Sequence, residues 1–321
     1  MTRCILFAVL CSLGCITAAS AQSYPSRPVT VIVPFAAGGP TDMLARTLAE
    51  RMRGQLGRPI VIENVTGAGG SIGVGRAAQS APDGYTVGIG NWSTHVVNGA
   101  IYSLAYDLLN DLQPVTMLPS SPQLIVTKST VPAKNLGELI AWLKVNKASA
   151  GTAGAGSASH ISGLYFQTIT GVDFSFVPYR GTGPAMQDLM GGQIDLMFDQ
   201  SSNSLPHVHA GKIKAYAVTS KQRLVSAPEI PTVDEAGLAG FHISVWHGLW
   251  VPKGTPNEIV TKLNAAAKEA LADPILQQRF AELGQDVPQP DQQSPAALEQ
   301  LQRAEIKKWW PLIKAAQVKG E

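Results

Sequence analysis

Apolar and β-branched residues come in short runs along this chain, at 29–33, 60–62, 85–89, 123–126, 174–177, 194–198, 215–218 and 242–250. Runs of that length and composition predict strands. Between several of them the apolar positions move to helical spacing. Met43, Leu44, Thr47, Leu48 and Met52 do so behind Thr41, a predicted helix cap. Leu136, Leu139, Ile140 and Leu143 repeat the behaviour, as do Ile161, Leu164, Tyr165, Thr168 and Ile169. Strands alternating with helices predict an α/β fold on a mostly parallel sheet. From Asn257 onward the pattern is helical throughout, punctuated by Pro274 and Pro288.

One arrangement repeats: a strand, a glycine- or serine-rich turn, then a helix start. It occurs at 35–42, 151–160 and 177–184, and the strand ending near Gly90 opens into Asn91-Trp92-Ser93-Thr94-His95. Such turns leave backbone N–H groups bare at a helix N-terminus, where the helix dipole favours an anion. The units fall on either side of Leu118-Pro119-Ser120-Ser121-Pro122, which reads as a linker. In open α/β sheets, ligands sit beyond the carboxyl ends of the strands. Two such sheets face to face predict a two-domain clam holding one ligand between two sets of helix N-termini. Amides at both ends of the cleft suit a dicarboxylate.

Composition narrows the function. Met1-Thr2-Arg3 is a short basic start, 4–18 is an apolar run too short for a bilayer span, and Ala19-Ser20-Ala21 has the pattern a signal peptidase reads. The expected mature chain is exported and starts at Gln22. All three cysteines, Cys4, Cys11 and Cys15, lie in the removable segment. Thiol nucleophiles, disulfides and cysteine metal ligands are thereby excluded from the mature chain. The formal net charge is +2, Arg3 included, and no basic stripe of the kind nucleic acid requires is present.

The segments "YPSRPVTVIVPFAAGGPTD", "APDGYTV", "GSASH", "VPYRGTGPAMQDLMGGQIDLMFDQ", "IPTVDEAG" and "VPKGTP", in this order, resemble the substrate-binding proteins of tripartite tricarboxylate transporters, the Bug or TctC family. The likeness covers essentially the whole mature chain and lies in the ordered set, not in any one motif. It implies a two-domain periplasmic type II solute-binding protein fold of the Venus-flytrap kind, with the ligand in the interdomain cleft. After a signal peptide at 1–21, the implied domains are 22–122 with 246–321, and 123–245, with crossings near 121–126 and near 245. It further implies a small carboxylate ligand, no catalysis, no cofactor and no metal. The implied partners are membrane subunits of the transporter; a membrane sensor kinase is a second partner the same fold would serve. The chain is expected to act in the periplasm as a monomer.

The resemblance gives the first loop one ligand carboxylate, held by backbone amides and small side chains of Phe35, Ala37, Gly39, Thr41 and Asp42, helped by ordered waters. Gly38 and Gly39 permit close backbone approach, and Thr41 offers a hydroxyl. Asp42 reads as structural, because a carboxylate aimed at an anion would repel it; amides of its own turn are its expected partners. Pro40 departs from the Ser or Gly common in the family and removes one N–H. From the other domain, Ser157, Ala158 and Ser159 supply hydroxyls and N–H groups, while His160 reads as a helix-start residue bonded to the neighbouring loop. The turn carrying Tyr179, Gly181 and Thr182 is placed at the cleft. Asp199 either accepts from a hydroxyl or protonated group of the ligand or orients Tyr179. Among Trp92, Ser93, Thr94 and His95, Trp92 stands where the family has a small residue. It lines and narrows the pocket, stacks on an aromatic acid, or packs on the domain surface. Arg180 either pairs with the ligand or points outward.

Three other features invite a different chemistry. A secreted serine hydrolase would use Ser157 or Ser159 with His160, but residues this close at a helix start rarely face each other, and no nucleophile elbow of the G-x-S-x-G type is expected in the chain. The glycines at 67–73 miss the dinucleotide spacing. His207-Val208-His209 lacks a third metal ligand and helical spacing. The Trp309-Trp310 pair is predicted to be core.

Overall fold

The computed structural model describes residues 24–315 and residue 318. The signal segment, its cleavage after Ala21 and the cysteines lie outside the described residues. The first lobe opens with β1 (Val29–Val33), α1 (Pro40–Leu56), β2 (Ile60–Asn64), α2 (Ser71–Ala78), β3 (Thr86–Asn91) and a short α3 (Asn98–Ile101). A long β4 (Leu112–Lys128) leads into the second lobe. There the chain runs α4 (Leu136–Val145), β5 (Ser149–Thr152), α5 (Ala158–Thr170), β6 (Ser175–Pro178), α6 (Thr182–Met190), β7 (Leu196–Gln200), α7 (Ser201–His209) and β8 (Ile213–Val218). It returns through β9 (Ser244–Pro252) to α8 (Asn257–Ala272), α9 (Pro274–Glu282) and α10 (Pro295–Ala315).

β4 ties the two lobes together. Its first part pairs antiparallel with β9, from Leu112 opposite Pro252 to Pro122 opposite Ser244. From Gln123 onward it pairs with β7 and β8. The order is β2-β1-β3-β9-β4-β7-β5-β6, with β8 also on β4. The 118–122 stretch is therefore strand, not linker. Its prolines broke the apolar pattern, and the ladder accommodates them by shifting register between Pro114 and Thr116 and again between Leu118 and Ser121. Strand β5, Ser-Ala-Gly-Thr, has side chains too small to give an apolar run.

Helices cover both faces of each lobe's sheet. In the first lobe, Val31, Val33 and Ile89 pack on Leu44, Leu48 and Leu263 from α1 and α8, while the opposite face packs Trp92, Val96, Trp246 and Trp250 on α10. In the second, Phe166, Phe174, Phe198 and Phe241 form one core and Met186, Leu189, Met197 and Leu205 the other. α1 starts one residue before the predicted cap. Gly39 is the N-cap and Pro40 takes the first turn, where its missing N–H is not needed; Gly57, at φ 65°, ends the helix.

Candidate ligand-binding site

Four helices direct their N-termini into one cavity between the lobes. α1 brings Gly39, Pro40 and Thr41 from the first lobe. α5 brings Ser157, Ala158 and Ser159, α6 Thr182, and α7 its cap residue Gln200 from the second. Asn91, Ser93, Gln123 and Ala153 fill in polar and backbone wall, and Phe35 and Phe198 provide apolar faces. Among the described residues, the one charged side chain in the wall is Asp199. Unsatisfied N–H groups at helix starts with no lysine or arginine among them make a site for anions held by dipoles instead of salt bridges. The cavity volume is about 30 Å³, so the lobes are nearly closed upon it.

The first loop behaves largely as its sequence reads. The Gly38 N–H donates to Asp42 Oδ2 at 2.9 Å, Asn64 Nδ2 to Oδ1 at 2.9 Å and Arg46 Nε to Oδ2 at 2.9 Å. Burial pushes the Asp42 carboxyl up, but those bonds outweigh it and hold it below its usual range. Asp42 thus points away from the cavity and shapes the turn. Thr41 departs from expectation. His247 Nδ1 lies 3.1 Å from the Pro119 carbonyl, which can only accept, and Nε2 lies 3.3 Å from Thr41 Oγ1. Burial lowers His247 to about 4, against the raising effect of the Pro119 bond. The ring is therefore neutral with its hydrogen on Nδ1, and Thr41 spends its hydroxyl hydrogen on Nε2. What Thr41 offers an anion is its backbone N–H.

In the second lobe, Ser157 caps α5 by accepting from the His160 N–H at 3.4 Å, and Ser159 accepts from the Ala153 N–H at 3.0 Å. The two hydroxyls bond each other at 3.0 Å. Two O–H groups share one such bond, so one O–H stays unspent whichever way it runs. His160 Nδ1 accepts from the Gly156 N–H at 3.1 Å and its ring sits edge-on to Phe176 at 4.6 Å. Among the described residues no base faces either serine, and the hydrolase arrangement is not formed there. Ser71, in a run at 69–73 that does spell G-x-S-x-G, opens α2 without a histidine hydrogen-bonded to it among the described residues.

Several residues of the sequence reading stand outside the cavity wall. Trp92 is buried in the first-lobe core, edge-on to Trp309 at 4.9 Å. It neither lines the pocket nor lies on the surface, because the chain coils tightly after β3 and turns the indole inward. Trp310 packs nearby through Nε1 to the Val96 carbonyl at 2.9 Å. Thr94 bonds His95, whose ring stacks on Trp250 at 3.6 Å and is lowered to about 3 by burial. Only Ser93 of that loop reaches the wall; Asn91, whose Oδ1 holds the Ser93 and Thr94 amides, stands beside it. Tyr179 donates to Asp188 Oδ2 at 2.6 Å, so Asp199 does not orient it. Tyr179 and the exposed Arg180 border the cleft mouth. Gln123 and Gln200, cross-strand partners in β4 and β7, line the cavity and went unnoticed in sequence. Their signal was a polar residue at the end of an apolar run.

Ala37 and Gly181 close the cleft instead of lining it. The Ala36 N–H donates to the Arg180 carbonyl at 2.8 Å, and Tyr102 Oη to the Ala155 carbonyl at 2.9 Å. A Cβ on Gly181 would stand 2.9 Å from Ala36 N; one on Gly183 would stand 2.9 Å from Ala37 O and 3.0 Å from Gly39 N. Where α1 faces α6, the lobes meet backbone to backbone.

Two lobes joined by crossing strands, with helix N-termini converging between them, define a solute-binding receptor. The model of the tripartite tricarboxylate transporter family receptor, TctC, matches residues 44–318, and the chain belongs to that family. The fold is similar to the periplasmic binding protein BugD, with a TM-score of 0.89 and 41% identity over 92% of this chain and 99% of that one. It is also similar to MatC from Rhodopseudomonas palustris, solved with malate, with a TM-score of 0.87 and 42% identity over 90% of this chain and 100% of that one. A second R. palustris protein, solved with adipate, gives 0.87 and 34% over 92% of this chain and 99% of that one. These are solute-binding proteins, not enzymes.

Proposed function

We propose that the protein is a periplasmic receptor that captures a small dicarboxylate between its lobes and presents it to the membrane subunits of a tripartite transporter. The observation that carries this reading is the convergence of four helix N-termini, from both lobes, on a wall without lysine or arginine. Each helix end carries roughly half a positive charge, so the set balances about two carboxylates. Malate and adipate in related proteins are consistent with that count. An aromatic acid loses its support, since Trp92 is in the core. Among the described residues no helix is long and apolar enough to cross a membrane, as a receptor handing cargo to separate membrane subunits allows.

The ligand-binding residues in this reading are those of the wall, and the domains are 22–122 with 246–321, and 123–245, in keeping with the change of partners along β4 at Gln123. Calorimetry of the mature protein against C4 to C6 dicarboxylates tests the function. Ser157→Ala removes a hydrogen bond to a charged group, about 1.5–3 kcal/mol, so affinity should fall roughly tenfold to a hundredfold. Arg180→Ala should leave it within about threefold, as its side chain is solvent-exposed. Abolition of binding by Arg180→Ala with Ser157→Ala tolerated would replace the amide cradle by a salt bridge.

A further inference from the structure

Asp199 is the odd member of the wall. A carboxylate in an anion site repels the ligand, yet this one is 1% exposed, at the end of β7 just before α7. Its Oδ2 is fully engaged, accepting from Asn203 Nδ2 at 2.6 Å and Ser204 Oγ at 2.8 Å. Its Oδ1 is buried without a partner. Thr182 Oγ1 and Gln200 Oε1, also in the wall, are buried and unpartnered too. The Thr182 hydroxyl lies close enough to favour the charged form of Asp199 but makes no hydrogen bond to it. Three unmet polar atoms, two of them pure acceptors, therefore belong to residues that line one cavity. Buried polar atoms without partners are costly, and a ligand group that satisfies them gains what they lack.

Resting on the dicarboxylate reading, we infer that the solute carries a hydrogen-bond donor, a hydroxyl or an ammonium, beside its carboxylates, and that Asp199 Oδ1 accepts from it. Burial pushes the Asp199 carboxyl up to about 6, with the bonds from Ser204 and Asn203 and the nearby Thr182 hydroxyl and Gln200 backbone working the other way. At pH 7.5 it is mostly ionised and can only accept. A site built to accept from a ligand donor rejects the analogue lacking one, because its acceptor is then left buried and unpaired. The helix ends supply the attraction for the carboxylates; Asp199 sets which dicarboxylate stays.

Calorimetry at pH 7.5 with malate, aspartate and succinate on the mature protein tests this, the first two differing from the third by a hydroxyl and an ammonium. Malate or aspartate should bind at least about tenfold more tightly than succinate, and whichever is tighter identifies the donor. In Asp199→Asn the amide oxygen must take the Oδ2 place, because Asn203 and Ser204 donate there, so an NH2 faces the cavity. The preference should then shrink to under about threefold, with succinate unchanged or tighter. Asp199→Ala, which removes the acceptor altogether, should give the same loss of preference. Equal binding of all three ligands by the unmodified protein overturns the inference, as does a preference that survives both substitutions. Failure of every C4 to C6 dicarboxylate to bind overturns the functional reading beneath it instead.

Discussion

At the scale of single residues, the site is organised by where hydrogens are already committed. Thr41 gives its hydroxyl hydrogen to His247 and Asp42 takes the Gly38 N–H, whereas the Ser157–Ser159 pair keeps one O–H and Asp199 keeps one acceptor. The Asp199 acceptor has a cost in the ligand-free protein. Its folded carboxyl is raised from 3.8 to about 6, so the folded state binds the extra proton. Its contribution to stability is therefore fully present below about pH 4 and is lost as pH rises through 6. A shift of that size corresponds to roughly 3 kcal/mol. Asp199→Asn should accordingly raise the melting temperature of the ligand-free protein at pH 7.5, with an advantage that shrinks towards pH 4; thermal melts across that range check it, and a constant difference would remove the cause. The sequence conveyed which loops line the cavity between the lobes, since glycines, serines and strand ends mark helix N-termini. It did not convey the hydrogen assignments, because His247 and Pro119 reach Thr41 from strands remote in the chain.

At the scale of elements, α1 and α6 are opposed across the cleft, and their contact is made by glycine. A Cβ on Gly183 would meet the Ala37, Gly38 and Gly39 backbone at 2.9–3.0 Å, and backbone cannot step aside as a flexible side chain does. Within α6 itself alanine is the better helix former by about 1 kcal/mol. Gly183→Ala should therefore leave the melting temperature of the ligand-free protein unchanged or higher while weakening ligand binding roughly tenfold or more. A parallel loss of stability and affinity would mean that the glycine serves the fold of the second lobe. Most elements were legible from periodicity, β1 to its end residues and α4 through Leu136, Leu139, Ile140 and Leu143. The first part of β4 was not, because Pro114, Pro119 and Pro122 interrupt it and only long-range pairing with β9 makes it a strand. Of the two glycines that permit close approach, Gly38, at φ 81°, makes the turn, and Gly39, at φ −88°, begins the helix.

For the whole molecule, the described conformation is a closed one, with a cavity volume of about 30 Å³ and backbone hydrogen bonding across the cleft from Ala36 to Arg180. A dicarboxylate cannot enter such a space without the lobes parting. They can part by bending where β4 changes partners at Pro122 and Gln123 and where β9 begins at Ser244: one core in each lobe draws on that lobe alone, whereas Ala158 and Ile161 of α5 pack into the first-lobe cluster around Trp92 and must separate from it. In the ligand-free protein, α1 on one lobe and α5, α6 and α7 on the other bring like positive ends together, which works against closure. A two-ended anion reverses that sign, and it stabilises only the state in which both ends are touched. Small-angle scattering should thus show a larger radius of gyration without ligand than with saturating ligand, and the bound profile should match the closed structure. Gly183→Ala supplies the control: at saturating ligand it should contract less, because the two backbones can no longer meet. Identical profiles for the unmodified protein with and without ligand would mean that the lobes do not move on binding, and entry would then have to proceed past Tyr179 and Arg180 at the mouth.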